Sequence, residues 1–230
     1  MLTPLKLDRS IGWVAVLNLA LIAILSGRPH FSNASRPVRG ISNPILAMEV
    51  VRNVSEVDTI LSDAPSPDRE AMRIKQYADF GFITTYAALY VLMSMLLIRE
   101  GRAIATAAGI LGVLAAVFDV IENLGILRLV DTSLSSTTQG MIDAIRYPSL
   151  IKWTLTSLAL GLLGILALRT RRIGLRIVGA LDAIAALLGL YGVLYDNVGL
   201  QRLVYVGSIA LITLAILYFR PRWPKARRSP

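Results

Sequence analysis

The run VFDVIENLGI, residues 117–126, sets Asp119, Glu122 and Asn123 in otherwise mostly apolar sequence. Spacings of three and four residues bring all three side chains onto one face of a helix. Two carboxylates held together away from water would share a proton or bind a cation, because a neighbouring like charge raises one pKa. Asp119 and Glu122 are therefore the candidates for general acid, proton relay or cation site, and the catalytic pair if a reaction takes place. An Asp near the centre of a bilayer costs about 2.5–3.5 kcal/mol on insertion scales, so Asp119 demands a partner.

Partners of both signs occur at comparable positions in other apolar stretches. Asp79 opens one stretch and Lys152 another, while Arg146, Asp196, Asn197 and Arg202 close the outward ends of others. Glu49 and Arg52, on a segment outside the apolar stretches, would cap the group. Asn123, Asp79, Asp196, Lys152, Arg52 and Tyr86 are the ligand-binding candidates. Each also has a plainer reading: Lys152 snorkels to headgroups, Arg146 and Asp143 are solvated, Asp79 caps its helix. Tyr86, Tyr90, Tyr191 and Tyr195 either line a cavity or form an interfacial belt. Asp182 follows Arg176 by six residues and reads as half of an in-span ion pair.

The remaining inventory narrows the chemistry. Cysteine is absent and His30 is the single histidine, so thiolate, disulfide, zinc, haem and iron chemistry lack their usual ligands. A metal would have to be a hard ion on carboxylates, such as Mg²⁺; no metal and no cofactor is expected. No Gly-rich phosphate loop, nucleophile elbow, HExxH or paired Asp-rich motif is present. The net charge of +9 does not point to nucleic acid, because the basic residues flank apolar stretches instead of interleaving with aromatics.

The elements that position these residues are membrane helices. With 55% hydrophobic and 17% charged residues and a mean hydropathy of +0.62, the chain lies outside the usual range of soluble domains. Six stretches approach the ~20 apolar residues that a bilayer requires: 11–27, 78–98, 103–124, 150–168, 173–195 and 201–219. Six spans put both termini on one side. Lys6, Arg9, Arg99, Arg102, the Arg169–Arg176 cluster and the basic C-terminal tail fall there, offset by Asp8 and Glu100. The positive-inside rule makes that side cytoplasmic.

The long 28–76 segment is then extracytoplasmic. Asn43-Pro44 reads as a helix start, and Leu46, Val50, Val54, Val57 and Leu61 follow at helical spacing, so an amphipathic helix over 43–62 is expected on the outer face. Ser55 and Asp58 would restart it after a bend as a capping box, and DAPSPDRE reads as a turn.

ENLGILRLV at 122–130 echoes DNVGLQRLV at 196–204, which suggests a tandem two-helix repeat pairing 78–124 with 150–195. The echo predicts that each outward helix closes at its acid, amide and glycine. Arg128 and Arg202 are then the candidate cations for Glu122 and Asp196.

NPILAMEVVRNVSEVDTIL, YADFGFITTY and FDVIEN together resemble a set of uncharacterised small bacterial multipass membrane proteins. The likeness covers roughly residues 43–130 and implies a recurring D-x-x-E-N helix within the membrane, without an established activity.

The expected fold is all-α: a single integral membrane domain over 1–230, six spans plus the extracytoplasmic helix. The expected function is binding of a lipid-like or isoprenoid-like molecule in an outward-facing, carboxylate-lined pocket of the cytoplasmic membrane, with acid-base conversion of it left open. A proton- or cation-coupled transporter and a non-catalytic accessory subunit are the alternatives. Partners would be membrane lipids, the small-molecule ligand and, as an open question, further copies of the chain.

Overall fold

The computed structural model describes residues 4–32, 36–195 and 198–218. Asp196, Asn197 and the basic tail after Tyr218 lie outside the described residues. Among the described residues there are eight α-helices: α1 Pro4–Ser26, α2 Pro44–Glu49, α3 Val54–Leu61, α4 Pro67–Leu97, α5 Arg102–Val130, α6 Gln139–Arg169, α7 Ile173–Tyr195 and α8 Gly199–Tyr218. Six of them, α1 and α4–α8, are long and apolar enough to cross a membrane.

These six form a closed ring. Each of α4 to α8 packs against its sequence neighbour, and α1 closes the circle by packing against both α4 and α8. The outside of the ring is apolar, with Trp13, Leu187, Leu194 and Ile216 each more than 60% exposed. Exposed side chains of this size in such numbers fit hydrocarbon surroundings far better than water. Tyr191 and Tyr195 also face outwards.

Segment 36–66 folds over one end of the ring as a lid, in two short helices where the spacing predicted one. Asn43 caps α2 by accepting from the N–H groups of Ile45 and Leu46, with Pro44 as the first helical residue. The cap of α3 lies two residues earlier than Ser55: Asn53 accepts from Glu56 N–H at 3.0 Å, and Glu56 accepts from Arg52 N–H at 2.8 Å. Glu56, two residues before Asp58, supplies the anion of the first turn. The lid lies on the bundle, with Met48, Val50, Val51, Val57 and Leu61 completely buried against residues such as Ile126, Ile142 and Ile145.

The helices overrun the predicted spans at the lid end. α4 begins inside DAPSPDRE, capped by Ser66 with Pro67 at its first position. α5 continues through Asn123 and Gly125 to Val130, so the expected helix end at the amide and glycine is not there. Gly125 is needed for a close approach: a Cβ there would lie 3.0 Å from Ile145 of α6 and 3.4 Å from the Ala144 carbonyl, the one that Pro148 leaves without its helical donor. The end of α5 is closed instead by the buried Arg69, which donates to the carbonyls of Leu129, Val130 and Thr132 at 2.6–3.1 Å. The echoed glycine, Gly199, opens α8, whereas Gly125 lies inside α5.

Candidate functional site

Lys152, on α6 one turn beyond Pro148, is 4% exposed and sits at the centre of a cluster built from three helices. Its Nζ lies 3.0 Å from Glu49 Oε2 of α2, 3.1 Å from Asp119 Oδ1 and 2.8 Å from Glu122 Oε2, both of α5. Three acids thus lie within ion-pair distance of one ammonium, which donates to Asp119 Oδ1. Lys152 does not snorkel to the surface, and it stands where a cation shared by these carboxylates would stand. It is also the cation that Glu122 requires, since Arg128 is exposed on the far side of α5 and pairs with no acid of the cluster.

A ring of neutral donors supports the acids. Tyr86 OH donates to Asp119 Oδ2 at 2.8 Å, Trp153 Nε1 to Glu49 Oε2 at 2.6 Å, and Asn123 Nδ2 to Asp79 Oδ2 at 2.8 Å. The Lys152 ammonium lies 4.8 Å from the centre of the Trp153 ring, within cation–π range. Burial holds the Glu49 carboxyl above its ordinary pKa even though Lys152 pulls it down. Asp79 Oδ1 and both oxygens of Glu122 have no hydrogen-bond donor among the described residues.

The cluster lies on the wall of a cavity of about 600 Å³ inside the ring, which on the lid side reaches Phe31, Asn43 and Leu46. Glu49, Asp79, Asp119, Lys152, Tyr86 and Trp153 line it, and it continues away from the lid between Phe82, Leu89, Tyr90, Leu160, Leu163, Leu211 and Leu214. The lid is tied to the ring by Gln201 of α8, which accepts from the Ser42 N–H at 2.9 Å, and below it Lys75 donates to the carbonyls of Leu25, in the last turn of α1, and Gly27, just after it, at 2.5 and 2.8 Å. Asn18 of α1 donates to Thr85 of α4 at 2.7 Å and seals a further seam.

The residues singled out from sequence divide into three sets. Asp119, Asp79, Lys152 and Tyr86 face the cavity together. Glu122 and Asn123 are 1% exposed and do not line it: Glu122 backs Lys152, and Asn123 orients Asp79. Arg52 lies on the exposed side of the lid, outside the cavity wall, where its carbonyl accepts from Gln139. Asp196 is outside the described residues. Arg146 and Asp143 do not line the cavity either, and Asp143 accepts from Gln139.

Glu49, expected to cap the group, reaches Lys152 from the lid, whereas Trp153 and Asp182 were not anticipated as part of the site. Trp153 has no local sequence signal, because its role depends on Glu49 reaching it from the lid. Glu49 itself follows from the helical spacing of the lid once the lid is known to fold inward. Asp182, expected to pair with Arg176, forms no ion pair among the described residues; it lines the deep part of the cavity. α7 turns that face inward because Gly179, one turn earlier, packs backbone to backbone against Gly164 of α6. Comparison with protein-family models, curated proteins and solved structures finds no match for this chain, so the geometry of the cavity carries the functional argument.

Proposed function

We propose that this chain resides in the cytoplasmic membrane, termini inside and lid outside, and binds an amphipathic, lipid-like or isoprenoid-like molecule in the cavity of the helical ring. The observation that carries this reading is the shape of one space: about 600 Å³, apolar along most of its length, with most of its charged side chains on the wall under the lid and Asp182 farther in. Ligand cavities of this size place apolar bulk against apolar wall and fix orientation with a few polar groups.

The polarity of the head follows from the wall. Asp79, Asp119 and Glu49 face the cavity against Lys152, whose ammonium already has three carboxylates around it. Hydroxyl or amine donors on a ligand would satisfy the three carboxylates, while the second wall cation, Lys75, is held by the Leu25 and Gly27 carbonyls. On the wall under the lid, Asp79 Oδ1 has no donor among the described residues, which makes Asp79 a better candidate than the buried Glu122 to receive a ligand proton.

Mass spectrometry of small molecules retained after gentle extraction tests the proposal, with Gly207→Trp as the control. Gly207 of α8 lines the cavity, and a Cβ added there meets nothing within 4 Å, so a large side chain can fill the space without displacing protein. The expected result is an amphipath that is enriched with the wild-type chain and lost from Gly207→Trp. An identical lipid profile for both would overturn the binding reading.

A proton- or cation-coupled transporter is the second reading, favoured by acids at two depths of one cavity, Asp79 and Asp119 under the lid and Asp182 farther in. Proton-coupled flux in liposomes that disappears in Asp119→Asn would select it over static binding.

A further inference from the structure

The deep end of the cavity holds a carboxylate that the cluster under the lid does not explain. Asp182 is 7% exposed, lines the cavity, and has no hydrogen bond or ion pair among the described residues. Every wall acid under the lid has at least one partner: Glu49 has Lys152 and Trp153, Asp119 has Lys152 and Tyr86, Asp79 has Asn123. Asp182 is therefore the acid with the greatest unmet demand for a donor. A buried carboxylate in that position is expensive unless something pairs with it.

Its surroundings narrow what that partner is. Counting helical rise from the far ends of α6 and α7, Asp182 lies about 12 Å deeper than Lys152. Between the two levels runs an aromatic ladder on α4: Phe82 and Tyr86 stack edge to face at 5.5 Å, and Tyr86 and Tyr90 at 6.1 Å. All three rings line the cavity. Aromatic faces attract cations, and an apolar wall excludes the water that would otherwise hydrate them. Small inorganic cations would lose their hydration shell here with a single carboxylate in return, whereas a cation clothed in hydrocarbon gives up little.

We propose that Asp182 is a separate deep station for the positive centre of a lipophilic cation of the quaternary ammonium or phosphonium type, with its apolar groups against the aromatic ladder. This rests on the cavity being a ligand site and adds the charge of what enters it.

The test is equilibrium dialysis of tetraphenylphosphonium against the full chain in nanodiscs, with empty nanodiscs subtracted and tetraphenylborate as a probe of like shape and opposite charge. Wild type is expected to bind the phosphonium and not the borate. Asp182→Asn is expected to weaken phosphonium binding at least about tenfold, equivalent to about 1.4 kcal/mol, and Asp182→Glu to recover most of it. Equal binding of both probes by wild type, no binding of the phosphonium, or undiminished binding by a folded Asp182→Asn would each overturn the proposal. Charge selectivity of wild type decides the matter if Asp182→Asn fails to fold. Gly207→Trp separates the two levels: phosphonium blocked by the plug but indifferent to Asp182→Asn sinks the deep station, whereas indifference to the plug sinks the cavity itself.

Discussion

Replacing Lys152 by Met removes the ammonium shared by Glu49, Asp119 and Glu122 at 2.8–3.1 Å and keeps a side chain of similar length. The variant must either leave three clustered carboxylates without their cation or take up a proton. Protonating a carboxyl of ordinary pKa near 4.3 at pH 7 costs about 3.7 kcal/mol. That matches the roughly 3–5 kcal/mol lost when one partner of a buried pair is deleted. The two routes give one expectation: Lys152→Met loses about 3–4 kcal/mol of stability at pH 7.

The same reasoning fixes a pH signature. The folded variant binds one proton more than its unfolded chain, so its deficit relative to wild type grows as pH rises, by about 1.4 kcal/mol per unit above the ordinary carboxyl range. Near pH 5 the deficit shrinks to about 1 kcal/mol. Adding Glu122→Gln supplies the neutral group in advance. The double variant should recover most of the loss at pH 7 and lose its pH slope. Titration with denaturing detergent, followed by fluorescence of Trp153 beside the cluster, measures all of this. A deficit below about 1 kcal/mol at pH 7, or a double variant no better than the single, would refute the shared-ammonium account.

Two further predictions concern the scaffold. Gly179→Ala would place a Cβ 2.7 Å from the Gly164 carbonyl and 2.8 Å from Ala167, forcing α6 and α7 apart at a cost of about 1–3 kcal/mol; the same detergent titration reads it. Asp63, on the loop after α3, accepts from the N–H groups of Ala64 and Leu134 at 2.8 Å each, which holds its carboxyl below the ordinary value of 3.8. A depressed pKa gives a contribution fully present above about pH 4 and lost as pH falls through the lower folded value. The Leu134 amide should therefore exchange more slowly, relative to its intrinsic rate, at pH 6 than at pH 3, and Asp63→Ala should abolish that difference.

The helices were legible because six apolar stretches of bilayer length admit few other folds, and the lid because Asn43-Pro44 and its helical spacing are local signals. The polar group was legible in part for the same reason. Asp119, Glu122 and Asn123 share a face by spacing, yet a helix apolar all round does not reveal its rotation about its own axis. Hence the sequence places the three together without showing that Asp119 faces the cavity while Glu122 and Asn123 stand behind it. The echo between 122–130 and 196–204 misplaced the end of α5, which runs on past Gly125. Both glycines serve close contacts, Gly125 with α6 and Gly199 with the Gly192 backbone of α7.

Packing and chemistry meet on α7. A Cβ at Gly179 would collide with α6 backbone, and one at Gly164 would lie 2.8 Å from the Gly179 carbonyl, so the two glycines fix both the separation and the rotation of α6 against α7. Asp182 follows Gly179 by three residues, within the same stripe of the helix. The contact that brings the backbones together therefore also turns Asp182 to the cavity instead of the lipid. On the other helix of the pair, Lys152 lies three turns before Gly164 and meets its acids from α2 and α5. A loosened α6/α7 seam should thus disturb the deep carboxylate far more than the cluster under the lid. Gly179→Ala is expected to lower phosphonium binding while leaving the fluorescence of Trp153, which reports on the upper cluster, close to wild type. A spectral change at Trp153 with binding unaltered would show that the seam does not orient Asp182.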